Sequence, residues 1–169
     1  YRTCADLALM EGNKEEAKQN LIKAEEADPF RAHPAISLSF LYGEKGDLKN
    51  AINILQKSLK YNPMYPDLHL YAGETYRVLG KYKKAEYHLK RSLQLNPHYM
   101  VSLYNLADLY ERKKQYDTSL SYYIQALSSA NTNIDPLLHK IQQNYLKSSF
   151  FGKKSLIHIF NDHESLFEC

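Results

Sequence analysis

The side chains of this 169-residue chain that could do chemistry as a group lie near its carboxyl end. His158 and His163 are five residues apart, and Asp162, Glu164 and Cys169 are close to them in the sequence. Histidine, cysteine and carboxylate side chains are the usual protein ligands of zinc. A polar helix end or a loosely ordered tail would explain the same residues without a metal ion. We therefore predict no metal site and no cofactor.

The other residue that could be chemically reactive is Cys4, which lies at a packing position of a predicted helix. We expect a small buried side chain there rather than a nucleophile. The sequence contains no glycine-rich phosphate loop, no Gly-x-Ser-x-Gly, no His-Glu-x-x-His and no Cys-x-x-Cys. We predict that the chain is not an enzyme.

Charge and composition exclude several classes of partner. The net charge of +3 comes from 22 basic and 19 acidic residues that are mixed along the chain, so the field available to attract nucleic acid is weak. No apolar run approaches the ~20 residues that span a bilayer. Two cysteines at opposite ends favour a reducing compartment, and we expect a cytoplasmic location. The first residue is Tyr1 and no leader follows, so we expect a fragment of a longer protein.

The pattern that predicts the fold is a repeat of 34 residues. Glycine, alanine and proline recur at this step, at Gly12, Gly46 and Gly80, at Ala17, Ala51 and Ala85, and at Pro29, Pro63 and Pro97. A fixed period of this length is typical of stacked pairs of helices. The same period therefore predicts an array rather than a single layered core.

Residues 32–65 show how one unit is built. Apolar spacing predicts a first helix over Pro34–Glu44, which Gly46 ends because glycine adopts the left-handed conformation at low cost. Asp47 is the predicted N-cap of a second helix, and Pro63 closes the unit. The second helix turns Leu48, Ala51, Ile52, Leu55 and Leu59 inward.

Small and aromatic residues recur at fixed places of each 34-residue unit. The small residues are Ala5, Ser39, Gly73 and Ala107 at place eight, Ala17, Ala51, Ala85 and Ser119 at place twenty, and Ala24, Ser58, Ser92 and Ala126 at place twenty-seven. The aromatic residues are Tyr42, Tyr76 and Tyr110 at place eleven. Small residues let helices approach closely, and we interpret the tyrosines as packing residues.

This set of residues resembles the tetratricopeptide repeat family over residues 1 to about 133. The resemblance implies an all-α, right-handed superhelical solenoid of antiparallel helix pairs, with about four repeats and a capping helix at the carboxyl end. The sequence departs from the family pattern at Lys114, where the loop glycine is missing, and at Asn131, where the proline is missing. The usual aromatic of place four is present only as Tyr1 and is replaced in the later units by Ala35, His69 and Leu103.

These observations predict one array over residues 1–149. Its units are residues 1–31, 32–65, 66–99 and 100–133, and residues 134–149 form a cap that covers the last apolar face. We expect residues 150–169 to form either a further short helix or a tail.

In the resembled family the first helices line a concave groove that binds a partner. The places that face this groove correspond here to Arg2, Asp6, Leu9, Met10, Ile36, Phe40, Leu70, Tyr71, Glu74, Arg77, Tyr104, Asn105, Asp108, Glu111 and Arg112. The apolar members suit a peptide or helix of a partner protein with apolar anchors and some basic residues. The alternative is that several of them contact the neighbouring helices or the tail of the chain itself.

Many members of the resembled family clamp the acidic carboxyl terminus of a chaperone with Lys, Asn, Asn, Lys and Arg at set places. Here one register offers Arg2, Asp6, Ser37, Asp67 and Tyr71, and the next offers Ile36, Phe40, Tyr71, Val101 and Asn105. Neither set is a cationic clamp, and the acids would repel a carboxylate. We predict that the chain does not bind such a tail.

The sequence is compatible with three functions. The first is a protein interaction module or scaffold that recruits a partner through the groove. The second is a targeting or regulatory arm, without catalysis of its own, in a larger enzyme or in a secretion or assembly machine. The third is an RNA-binding helical repeat, which the acidic residues of the groove oppose because RNA binding requires a basic surface. We predict no nucleic acid partner and no insertion into a membrane.

Overall fold

The computed structural model describes residues 2–129 and 135–148 as α-helices joined by short turns. The chain divides into two compact units, Tyr1–Pro97 and His98–Cys169. The helices of the first are α1 (Arg2–Met10), α2 (Lys14–Ala27), α3 (Ala32–Glu44), α4 (Leu48–Tyr61), α5 (Pro66–Val78) and α6 (Tyr82–Leu95). Those described in the second are α7 (Met100–Arg112), α8 (Tyr116–Ser128) and α9 (Asp135–Lys147).

Each unit is built from helices that follow one another in the sequence. In the first unit α1 packs against α2, α3 against α4, and α5 against α6, and α3 also contacts α5. In the second unit α8 packs against both α7 and α9. Because the turns are short, each sequential pair is a helical hairpin. No helix in the described ranges is long and apolar enough to cross a membrane.

The turns form as the sequence predicts. The side chains of Asn13 and Asp47 accept hydrogen bonds of 3.2 Å from the amides of Glu16 and Asn50, which confirms Asp47 as an N-cap. Gly46 has a φ of 73°, in the left-handed region. Lys114 adopts a φ of 59° at the equivalent turn, so the backbone keeps its shape although the glycine is lost. A residue with a side chain costs about 1 kcal/mol in this conformation.

Helices α5 and α6 approach each other closely at Gly73. A Cβ atom at this position would lie 2.7 Å from Cγ of Leu89 and 3.2 Å from the carbonyl oxygen of Ala85, both in α6. Ala85 and Leu89 are themselves fully buried. The absence of a side chain at Gly73 therefore sets the distance between α5 and α6.

His69 stands in α5 where the repeat usually has an aromatic residue, and it is buried. Its Nε2 lies 3.0 Å from the carbonyl oxygen of Pro63, and its Nδ1 lies 3.1 Å from Nδ1 of His88 in α6. If Nε2 of His69 donates to Pro63, its Nδ1 must accept from His88. The ring of His88 stacks on Tyr76. This arrangement requires the imidazole of His69 to be neutral, since its Nδ1 accepts.

The prediction that Cys4 is buried is wrong, because its side chain is exposed. The equivalent residue one repeat later is Leu38, which is buried where α3 packs against α2. Within the described residues, no helix covers the corresponding side of α1, where Leu7 is exposed as well. The candidate zinc ligands His158, Asp162, His163, Glu164 and Cys169, and the proposed helix or tail over 150–169, lie outside the described residues.

We expect Gly73→Ala to lower the free energy of unfolding by about 1–3 kcal/mol, because the new methyl group overlaps Leu89. Urea denaturation measures the change. Gly43→Ala in α3 is the matched control, since a Cβ at this position meets nothing within 4 Å. It should raise the free energy of unfolding by up to about 1 kcal/mol through helix propensity. If both variants were stabilised, the close contact would not constrain the fold.

We also expect acid to destabilise the first unit through the histidine pair. Burial, with the nearby charges of His69 and Lys84, lowers the pKa of His88 from 6.5 to about 4. Burial also lowers the pKa of His69. The unfolded chain therefore binds more protons than the folded chain below about pH 6.5, so stability present at neutral pH is lost towards pH 4.

The variant His88→Phe keeps a ring beside Tyr76 but cannot take up a proton. Between pH 7 and pH 4 its free energy of unfolding should fall by about 1–2 kcal/mol less than that of the native protein. Chemical denaturation at a series of pH values gives both curves. Parallel curves would show that His88 contributes nothing to the acid response.

Candidate functional site

The first unit has a cleft of about 270 Å³ between α3 and α5. Phe40 and Tyr71 meet edge to face in it, with ring centroids 4.8 Å apart. Phe40 is 51% exposed although it is a large apolar residue. The cleft is lined by Ser39, Phe40, Gly43, Glu44, Leu48, Tyr71, Glu74, Thr75 and Val78. The cleft therefore presents aromatic surface to solvent at one place.

Two carboxylates line the same cleft. Glu44 pairs with Lys14 at 2.9 Å, and Oε1 of Glu74 lies 3.9 Å from a guanidinium nitrogen of Arg77. The side chains of both glutamates are well exposed. The pair of Glu44 and Lys14 is exposed on both sides and contributes less than about 1 kcal/mol, so Glu44 can exchange its partner for another cation. The Glu74 carboxylate is open to solvent although Arg77 is mostly buried. The cleft thus combines apolar and acidic groups.

Several predicted groove residues do not reach the surface. Leu70 is 1% exposed and Ile36 is 8% exposed, so the prediction that they are exposed anchors is wrong. Ile36 belongs to α3 and Leu70 to α5, and these two helices pack against each other and against α4 and α6. The alternative reading, that such residues contact the chain itself, holds for these two. Asn105 is also buried, and its amide donates to the carbonyl oxygen of Val101 at 3.0 Å.

Other predicted residues of the first unit lie apart from the cleft. Asp6, Leu9 and Met10 are exposed on α1 but do not line it. Arg2 lies at the start of α1, and its side chain is outside the described residues. Of the predicted set, the cleft brings together Phe40, Tyr71 and Glu74.

The predicted groove omits six of the nine residues that line the cleft, and two of these six, Glu44 and Val78, lie at a groove-facing place of the repeat. Both occupy place thirteen of their units, 34 residues apart, and Val78 is exposed. The predicted groove already includes Met10 and Arg112 from the same place. If place thirteen had been carried over to all four units, the predicted groove would have included both residues.

The predicted groove residues of the second unit are mostly engaged with their own chain. Tyr104 is partly buried and meets Tyr123 edge to face at 5.5 Å. Asp108 forms an exposed ion pair of 2.9 Å with Arg112. Glu111 accepts hydrogen bonds from the hydroxyl of Tyr123 at 3.0 Å and from Nζ of Lys140 at 3.2 Å.

Glu111 is the polar centre of this unit. Burial alone would raise the pKa of its carboxyl group, but hydrogen bonds from Asn144, Lys140 and Tyr123 and the charge of Lys140 hold the pKa below its usual value. Burial and the nearby Glu111 raise the pKa of Tyr123, so its hydroxyl stays protonated and donates. Because Lys140 and Asn144 belong to α9, this network joins α9 to α7. Glu111 is therefore a structural residue and not an acid available to a partner.

Comparison with known proteins gives two matches to the family model of the tetratricopeptide repeat, at residues 66–132 and 35–64. The TPR repeat-containing protein YpiA of Bacillus subtilis (strain 168) is 25% identical over 174 residues, covering 95% of this chain and 39% of YpiA. The chain thus spans about two fifths of the length of that relative.

Two solved structures show the same fold. TTC0263, a thermophilic TPR protein of Thermus thermophilus, is 29% identical over 84% of this chain and 78% of its own, with a TM-score of 0.71. The first TPR of Spaghetti (RPAP3), bound to the HSP90 peptide SRMEEVD, is 18% identical over 70% of this chain and 94% of its own, with a TM-score of 0.65. These matches confirm the predicted all-α, tetratricopeptide-like superhelical fold.

Replacing Glu111 should destabilise the second unit. In Glu111→Ala the hydroxyl of Tyr123 and the ammonium group of Lys140 lose their acceptor, which we expect to cost about 2–4 kcal/mol. Arg112→Ala is the control, because it removes a half-exposed cation of α7 and leaves the acceptor of Tyr123 and Lys140 in place, so it should cost less than about 1 kcal/mol. Urea denaturation compares the two variants, and hydrogen exchange should show early loss of protection in α9. Equal costs would contradict the structural role of Glu111.

Proposed function

Because this chain belongs to the tetratricopeptide repeat family, we propose that it holds a segment of a partner protein in the cleft between α3 and α5. Repeats of this family mediate protein–protein interactions and are typically not catalytic. The observation that carries the proposal is the edge-to-face pair formed in the cleft by exposed Phe40 and half-buried Tyr71. A large apolar side chain left in solvent beside a cavity is typical of an interaction site.

The cleft favours a particular chemistry of partner. An apolar side chain such as leucine or phenylalanine would enter between Phe40, Tyr71 and Val78 and remove their surface from water. A lysine or arginine beside that anchor would be attracted by Glu44 and Glu74. The proposed ligand is therefore a helix or extended segment with one apolar anchor and flanking basic residues.

The same features disfavour an acidic ligand. In the complex of Spaghetti (RPAP3) the bound HSP90 peptide SRMEEVD is rich in acids. In this chain the corresponding places do not form a cationic clamp, and Glu44 and Glu74 would repel carboxylates. We propose that recognition here depends on apolar contact and on basic residues of the partner.

The test uses fluorescein-labelled heptapeptides with leucine or phenylalanine at the centre and lysines on both sides. In fluorescence polarisation we expect the protein to bind at least one of them, and the double variant Phe40→Ala/Tyr71→Ala to bind at least ten times more weakly. Leu70 is unsuitable for this test, since its replacement would open a cavity in the core.

Tyr61→Ala is the matched control, because Tyr61 is an exposed aromatic residue of α4 outside the cleft. It should bind as the native protein does, and circular dichroism should show that all variants stay helical. The peptide SRMEEVD should bind more weakly than the basic peptides. Equal binding by the double variant, or preferred binding of SRMEEVD, would overturn the proposal.

A further inference from the structure

A second cavity of the first unit lies between α2, α3 and α4 and has a volume of about 300 Å³. It shares no residue with the cleft between α3 and α5. Ile22, Leu38 and Ile54 supply apolar wall, and Glu25, Asn53 and Lys57 supply polar groups. The cavity is large enough for a side chain, since one water molecule takes about 30 Å³ in the liquid.

Glu25 is the unusual member of this cavity. Its side chain is 2% exposed, and neither carboxylate oxygen has a hydrogen-bond partner. Buried carboxylates are normally paired, because a charge taken from water without compensation is strongly unfavourable. Burial raises the pKa of Glu25, and the charge of Lys57 lowers it in part.

Lys57 does not satisfy Glu25. Its Nζ lies 3.9 Å from Oε1, which is beyond hydrogen-bond distance. The side chain of Lys57 is 48% exposed, so water competes for its ammonium group. The ammonium group of Lys57 can therefore turn towards solvent. Because both carboxylate oxygens are covered in this structure, a ligand with N–H donors would reach Glu25 by displacing the side chains at the cavity wall.

We propose that this cavity binds an arginine side chain of a partner protein, with the carboxylate of Glu25 accepting two N–H bonds from the guanidinium group. The planar guanidinium matches a carboxylate in a bidentate pair and is more weakly hydrated than an ammonium ion, so it enters a buried site at lower cost. Its aliphatic stem would lie against Ile22, Leu38 and Ile54. This site does not depend on the cleft at Phe40.

The probe for this site is acetyl-arginine amide, titrated into the ¹⁵N-labelled chain and followed by NMR. We expect saturable shifts of the amides of Glu25, Asn53 and Lys57, with a dissociation constant of about 1 mM for so small a ligand. Acetyl-citrulline amide has nearly the same shape without the charge, and it should bind at least ten times more weakly.

Variants separate the roles of charge and space. Glu25→Gln keeps the shape of the side chain and should weaken the binding of acetyl-arginine amide at least tenfold. Asn53→Trp should weaken binding by a similar factor, because the larger side chain would fill the cavity. Glu11→Gln is the control for lost charge outside the cavity and should leave binding unchanged. Lys57→Gln removes a repelling charge and should strengthen binding severalfold.

Thermal melting of each variant would verify that it is folded at the temperature of the titration. Absence of saturable shifts, equal binding of citrulline, or unchanged binding by Glu25→Gln would each overturn the proposal. The double variant Phe40→Ala/Tyr71→Ala should bind acetyl-arginine amide as the native protein does. Loss of heptapeptide binding in this double variant therefore tests the cleft between α3 and α5, and does not test the arginine site.

Discussion

The close approach of paired helices is the constraint on which the rest of the first unit depends. At Gly73 the backbone of α5 lies so near Leu89 and Ala85 of α6 that a methyl group has no room. The corresponding places of other pairs are occupied by small residues, which keep the same contact short. Because each first helix is held against its second helix at this height, the opposite side of the first helix is left to face solvent or a ligand. The exposed surface of Phe40 and Tyr71 follows from this arrangement.

The two compact units differ in how they pair a carboxylate that is shielded from water. Glu111 receives hydrogen bonds from Tyr123 and Lys140, so its charge is compensated and joins α9 to its unit. Glu25 is more deeply buried, yet neither of its oxygens has a hydrogen-bond partner. A fully hydrogen-bonded carboxylate stabilises the fold, whereas a buried one without hydrogen bonds can gain them from a ligand. The difference lies in the neighbouring helices, since both residues are glutamates on repeat helices.

Sequence reasoning succeeds for features that depend on a few neighbouring residues. The cap at Asp47 and the left-handed turn at Gly46 follow from short-range hydrogen bonds and steric preferences, and both are present. It fails for Leu70 and Cys4, whose burial depends on helices elsewhere in the chain. A repeat place states which way a side chain leaves its helix. It does not state how near the next helix lies on that side.

The sequence by itself determined the 34-residue period, the alternation of helices and turns, and the family of the fold, because these rest on local torsion preferences and on hydrophobic spacing. Only the tertiary structure decided that Phe40 is exposed while Leu70 is covered, that Glu111 is saturated, and that Glu25 is not. Burial and pairing are set by distances between helices that are tens of residues apart in the chain. Those distances come from packing, which a single sequence does not record.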